Sequence, residues 1–177
     1  MTRIKTILAA AAASLALAVA TPAAFADGHS KNIVETAVGN PDFSTLVAAV
    51  TAADLAGTLS SEGPFTVFAP VNAAFEALPA GTVETLLKPE NKGTLTKILT
   101  SHVVAGKVEA AALLDLIKKG HGYVNVTMVS GDVITARADS KGVYLFDESG
   151  GVSRVVATDV GTSNGVIHVI NKVLLPK

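Results

Sequence analysis

Gly161-Thr162-Ser163-Asn164-Gly165 has the spacing G-x-S-x-G, in which a serine held at a sharp strand-to-helix turn acts as a nucleophile. That chemistry also needs an acid and a histidine later in the chain. His168 follows, but no Asp or Glu occurs after Ser163, and Val166 onward reads as a strand. The segment is therefore read as a glycine-bounded β-turn. Ser101 and His102 are adjacent and are expected on a strand, where neighbouring side chains point to opposite faces and cannot exchange a proton. Of the four histidines, His29 stands near the amino end, His121 follows a helix stop, and no two have metal-ligand spacing. With no cysteine there is no thiolate site either, so neither a catalytic set nor a metal is expected. His102 has two readings: a ligand-facing or pH-sensitive group, or a buried imidazole bonded to backbone. The second is preferred, and His168 is read the same way.

The elements that must position these groups follow an amino-terminal leader. Arg3 and Lys5 precede an alanine-rich apolar run from Ile7 through Ala20, Pro22 breaks it, and Ala24-Phe25-Ala26 offers small residues for cleavage after Ala26. The run is shorter than the roughly 20 residues of a spanning helix. Residues 1–26 are thus expected to be a signal peptide and 27–177 one exported domain, secreted or periplasmic, with no later membrane span. Its alanine-rich leader and lack of cysteine have a bacterial character. Loss of Arg3 and Lys5 leaves 12 basic against 15 acidic residues, a formal charge of −3, which offers nucleic acid no basic patch. Few aromatics and no tryptophan weigh against a carbohydrate or base-stacking platform.

Asn40 and Pro41 predict the start of a helix with Phe43, Leu46, Val47 and Val50 on one face and Gly57 as its terminator. A buried strand follows at residues 65–68, then a helix capped by Asn72 and broken at Pro79. Leu95, Ile98 and Leu99 mark another helix. A further one starts at Glu109, carries Ala110, Leu113, Leu114 and Ile117, and ends on Lys118, Lys119 and Gly120. From Gly122 the period changes to two. Residues 123–129, 133–138, 143–146, 152–158 and 166–175 read as strands joined by turns at Ser130-Gly131-Asp132, Asp139–Gly142 and Asp147–Gly151. Asn125-Val126-Thr127, formally a glycosylation sequon, falls mid-strand and is read as ordinary alternation. Charge changes at Asp139 or Asp147 are expected to leave stability nearly untouched. Helices in front and a meander behind give α+β, with no repeat or second domain.

GPFTVFAPVNAAFEALP, from Gly63 to Pro79, resembles the first signature box of the fasciclin domain, and NGVIHVINKVLLP, from Asn164 to Pro176, resembles its closing box. LTSHVVAGKV, from Leu99 to Val108, stands between them where that family has a His-containing strand. Three boxes in order span nearly all of the chain after the leader. The resemblance implies a β-sandwich or wedge with helices packed at its side. Its signature positions here are Phe65, Thr66, Phe68, Pro70, Asn72, Phe75, His102, Gly106, Asn164, Gly165 and His168. Phe65, Val67 and Phe68 are expected in the core, and Gly165 is expected to allow the last turn. The family often has Thr, Tyr and Asp where this chain has Val71, Ser101 and Asn171, so integrin recognition is not carried over.

The resemblance implies a non-enzymatic adhesion or binding module whose partner is a cell-surface or matrix protein or polymer. A second function follows from the likeness to secreted fasciclin-like proteins of photosynthetic organisms: carriage of an apolar small molecule such as a carotenoid. No other cofactor is expected. Binding positions for that reading are Leu55, Leu59, Leu113, Leu114 and Ile117, with His102, as the lining of a groove between helices. The same five aliphatic residues fill a core equally well, and core filling is preferred. Partner identity and oligomeric state are not legible.

Overall fold

The computed structural model describes residues 31–176. The expected leader, residues 1–26, and His29 lie outside them. Chain order is helix-rich first: α1 (Ile33–Val38), α2 (Ser44–Ala52), α3 (Ala56–Ser60), β1 (Phe65–Pro70), α4 (Asn72–Glu76), α5 (Thr82–Leu86), α6 (Lys92–Thr100), β2 (Val103–Ala105) and α7 (Ala110–Lys119). A strand-rich half follows: β3 (Tyr123–Thr127), β4 (Val133–Asp139), β5 (Gly142–Phe146), β6 (Val152–Thr162) and β7 (Gly165–Ile170). The α+β expectation holds.

α1 starts at a reciprocal cap: the Asn32 side chain accepts from the Glu35 amide at 2.9 Å, and the Glu35 carboxylate accepts from the Asn32 amide at 2.9 Å. Asn40 caps a short 3-10 turn, Pro41–Phe43, that leads into α2. α2 does not run to Gly57. Asp54 adopts a left-handed backbone with φ 57°, the Leu55 amide bonds the Val50 carbonyl, and the Asp54 amide bonds that of Thr51. That closing motif usually has glycine at its left-handed residue; a short polar side chain also tolerates it, so α2 ends at Ala52 and Gly57 lies inside α3. α7 closes the same way, with His121 as the left-handed residue at φ 59°.

Asn72 is also placed differently from expectation. It is the first residue of α4, and its side chain caps the neighbouring helix, accepting from the Thr45 amide at 3.0 Å and donating to the Pro41 carbonyl at 2.9 Å. Asn72 thereby joins the entry of α2 to the end of β1.

All seven strands form one sheet, in the order β2-β1-β7-β6-β5-β4-β3. β1 and β7 run parallel from Phe65 opposite Gly165 to Pro70 opposite Ile170, and every other pair is antiparallel. The two end boxes of the sequence are therefore direct neighbours at the sheet centre. β7 stops at Ile170 rather than Leu175. β6 pairs with β5 through its first half and with β7 through its second, with register shifts between that bend it. Beyond β3, the Val129 amide donates to the Val103 carbonyl of β2 at 2.8 Å, so the sheet curls until its two edges meet, close to a barrel.

Alternation along β1 and β7 sends side chains to two cores. Val67, Ala69 and Ile167 pack outward against Ile33, Phe43, Leu46, Val50, Leu59 and Leu99. Phe68 and Ile170 face inward, where Ile134, Ala136, Leu145 and Leu174 meet Leu113 and Ile117 of α7. Gly165 sits at the crossing. A Cβ there would stand 2.0 Å from the Phe65 carbonyl oxygen, so the residue must be glycine for backbone approach and not, as expected, for turn conformation.

Candidate functional site

Thr66, Ser101, His102 and His168 of the signature boxes are buried, and Thr66, Ser101, His102, Asn164 and His168 bond to backbone. His102 is not on a strand: it lies in the turn between α6 and β2. The Leu174 amide donates to its Nε2 at 2.9 Å, so in the neutral ring the proton sits on Nδ1, which donates to the Ile98 carbonyl at 2.7 Å. The Ser101 hydroxyl donates to that same carbonyl at 2.6 Å. Ser101 and His102 thus point to one acceptor, contrary to the opposite-face expectation, but proton transfer between them is still blocked because each hydrogen is already given to Ile98. Burial of the imidazole lowers its pKa to about 4, against the opposing pull of the Ile98 bond and the Asp147 charge. The ring is a neutral clamp between α6 and the segment after β7.

His168, on β7, stacks against Phe68 with ring centres 5.5 Å apart. Its Nε2 is 2.7 Å from the Val108 carbonyl, and the Asp159 amide approaches Nδ1 at 3.5 Å. Beside it, the Thr66 hydroxyl donates to the Gly106 carbonyl at 2.7 Å and accepts from the Val108 amide at 2.8 Å. Thr66 and His168 together fix the loop from Gly106, whose φ is 116°, to the start of α7. The Asp159 carboxylate completes that start by accepting from the Ala110 amide at 2.8 Å. Asn164 does similar work at the other end: it accepts from the Ile33 amide and donates to the Leu59 and Ser61 carbonyls, tying α1 and α3 to the β6–β7 turn. Phe75 is half-buried against the helical core, and Pro70 is buried at the end of β1. Ser163 occupies a strand-turn-strand hairpin, with its amide bonded to the Lys31 carbonyl.

Between α1, α2, α3 and the outward face of β1 and β7 lies an apolar cavity of about 70 Å³, lined by Ile33, Val34, Val47, Val50, Leu59 and Ile167 among others, with His102 at its inner wall. The six expected groove positions do not share it. Leu59 and His102 do; Leu55 packs at the rim of the same core; Leu113, Leu114 and Ile117 belong to the other core, on the far side of the sheet. Leu59, Leu113 and Ile117 are buried in those cores, and Leu55 and Leu114 are half-buried against them. The α1 lining was missed, although Asn32-x-x-Glu35 followed by apolar residues at Ala37 and Val38 is a legible helix start. Among the described residues, no group of three metal-ligating side chains is placed to hold an ion, and no helix is long and apolar enough to cross a membrane.

The turn carboxylates are also engaged, against expectation. Asp139 accepts from the Lys141 and Gly142 amides. Asp147 accepts from the Gly151 amide at 2.6 Å and, through its other oxygen, from the Leu175 amide at 3.0 Å. Both organise backbone and are not free surface charges.

The family model of the fasciclin domain matches residues 41–176. Among similar curated proteins, Protein sll1483 of a Synechocystis strain is 52% identical over 151 residues, covering 85% of this chain and 77% of that one. Immunogenic protein MPB70 of Mycobacterium bovis is 35% identical over 195 residues, covering 95% and 92%. Transforming growth factor-beta-induced protein ig-h3 of Sus scrofa is 35% identical over 149 residues, 81% of this chain but 19% of that much longer one. The FAS1 domain pair of the insect cell adhesion molecule Fasciclin I superimposes with a TM-score of 0.73 at 17% identity, over 83% of this chain and 51% of that chain, a likeness of fold alone.

Proposed function

The chain belongs to the fasciclin family, and from that premise we propose that it is an exported, non-enzymatic attachment module that binds a cell-surface or matrix protein or polymer. One observation carries this reading: Thr66, His102, Asn164 and His168, the polar side chains at four signature positions of the boxes, are bonded to backbone. The boxes thus build scaffold, and contact falls to the exposed strands and turns. A name among the similar proteins agrees with work outside the cytoplasm, since one is a cell surface glycolipoprotein. The test is attachment of beads coated with the purified protein to cells of its own source. Coated beads that attach no better than albumin-coated ones refute the proposal.

A second reading, carriage of an apolar small molecule such as a carotenoid, draws support from the apolar cavity under α1. At about 70 Å³ it is well under the roughly 300–1,000 Å³ of a drug-sized ligand site, so a carotenoid would require α1 to move away. Colour decides the matter: protein made in carotenoid-producing cells carries a visible absorption band under this reading and is colourless under the first.

A further inference from the structure

The outward face of β3–β6 bears a row of side chains that no element of the described residues covers. Register places Tyr123 opposite Arg137, Arg137 opposite Tyr144, and Tyr144 opposite Arg154, a line of Tyr-Arg-Tyr-Arg across four strands. Phe146 and Val152 form the next row beside it. α7 packs on β3 and β4 from the other side, where Leu113 and Ile117 meet Ile134 and Ala136. Tyr123 is 49% exposed and Val152 39%, while the alternating partners Ile134, Ala136 and Leu145 are buried. Both tyrosines of the chain thus stand on one solvent face.

Arg137 lies over two aromatic rings of this face. Its guanidinium lies 6.0 Å from the Tyr123 ring centre and 5.2 Å from that of Phe146. Arg154 is oriented by one bond from Nη2 to the Lys141 carbonyl at 2.8 Å. Among the described residues, neither guanidinium forms an ion pair with a carboxylate. Of the acids beside this face, Asp139 has its carboxylate turned into the β4–β5 turn and Glu148 accepts from the Val133 amide at 3.0 Å.

We propose that this face, centred on Arg137 and Arg154, is the contact surface of the attachment module and receives an acidic segment of a partner protein. The inference rests on the attachment reading and names its surface and the charge of its partner. Three arguments select the occupant. Tyr and Arg are the residues that dominate protein–protein binding energy, and pre-oriented guanidinium groups offer paired donors to carboxylates. The arginines are two strands apart, about 10 Å, so the partner must bring two carboxylates at about that separation. Arg137 already lies over the Tyr123 and Phe146 rings, which leaves a poor stacking platform for sugars.

The test uses poly-L-glutamate as probe, with ¹⁵N-labelled protein at low salt. Expected are amide shifts concentrated at residues 123, 137, 144, 146 and 154, affinity that falls with added salt, and about tenfold or greater weakening in Arg137→Ala and Arg154→Ala, both melting like wild type. Shifts elsewhere, or unchanged affinity in both variants, overturn the proposal. So does equal or tighter binding of alginate or of phosphatidylglycerol vesicles to this face, which would assign it to a polysaccharide or a membrane. In the bead assay the Arg137→Ala/Arg154→Ala double variant should lose attachment. If it attaches like wild type, the surface is wrong and the attachment reading stands; if wild type never attaches but poly-L-glutamate binds the face, the attachment reading falls and the anion-binding surface stands.

Discussion

His102 should make the protein acid-sensitive in a window that its geometry defines. Unfolded, the imidazole takes up a proton near pH 6.5; folded, it resists protonation until about pH 4, because burial penalises the cation. The unfolded state therefore binds more protons throughout that window, and stability falls as pH drops through it. The depression corresponds to about 3 kcal/mol, present in full above pH 6.5 and lost by about pH 4, a large fraction of a typical domain's stability. Urea unfolding at pH 7.5, 6, 5 and 4 measures the slope, and His102→Ala isolates its source. That variant should be less stable at pH 7.5 by about 2–4 kcal/mol, since the Leu174 amide is orphaned and the ring volume is emptied, while Ile98 keeps the Ser101 hydroxyl. Its loss between pH 6.5 and 4 should be smaller than wild type's by about 3 kcal/mol. Parallel pH profiles for the two proteins, or an NMR titration of the His102 ring near its ordinary pKa, would refute the reasoning.

Phe68→Ala should cost about 3–5 kcal/mol in urea unfolding, because Phe68 is buried against His168 and the inner core; Phe65→Ala, on a half-buried side chain, should cost less. Asp147→Lys should lower the melting temperature through loss of its bonds to the Gly151 and Leu175 amides, about 1–3 kcal/mol, whereas Asp115→Lys on the exposed side of α7 should stay within about 0.5 kcal/mol. Gly165→Ala should fail to give a native amide spectrum, since its methyl group would overlap the Phe65 carbonyl and force β1 from β7.

Local signals were the legible ones. α7 is visible because Leu113 and Ile117 repeat at helical spacing before two lysines and Gly120, and β3–β5 because apolar residues alternate between turn-forming clusters. The end of α2 falls before Gly57 because Asp54 itself adopts the left-handed backbone, with the Asp54 and Leu55 amides bonded back to the Thr51 and Val50 carbonyls, a role that the sequence marks more plainly with glycine. The parallel pairing of β1 with β7 could not be read from either segment, since it joins residues a hundred positions apart.

The same limit separates the buried histidines from the arginine face. A histidine beside apolar neighbours is already a candidate core group, and the preferred reading of His102 and His168 needed only the identity of their acceptors to be completed. Tyr123, Arg137, Tyr144 and Arg154 carry no such mark: in sequence they are isolated polar-face residues on four strands, and an aromatic count dismisses them. Only register decides whether they scatter or align. A shift of one residue in the β4–β5 pairing would move Arg137 away from Phe146 and break the row, so the turn at Asp139, whose carboxylate bonds Lys141 and Gly142, sets the surface as much as the arginines do.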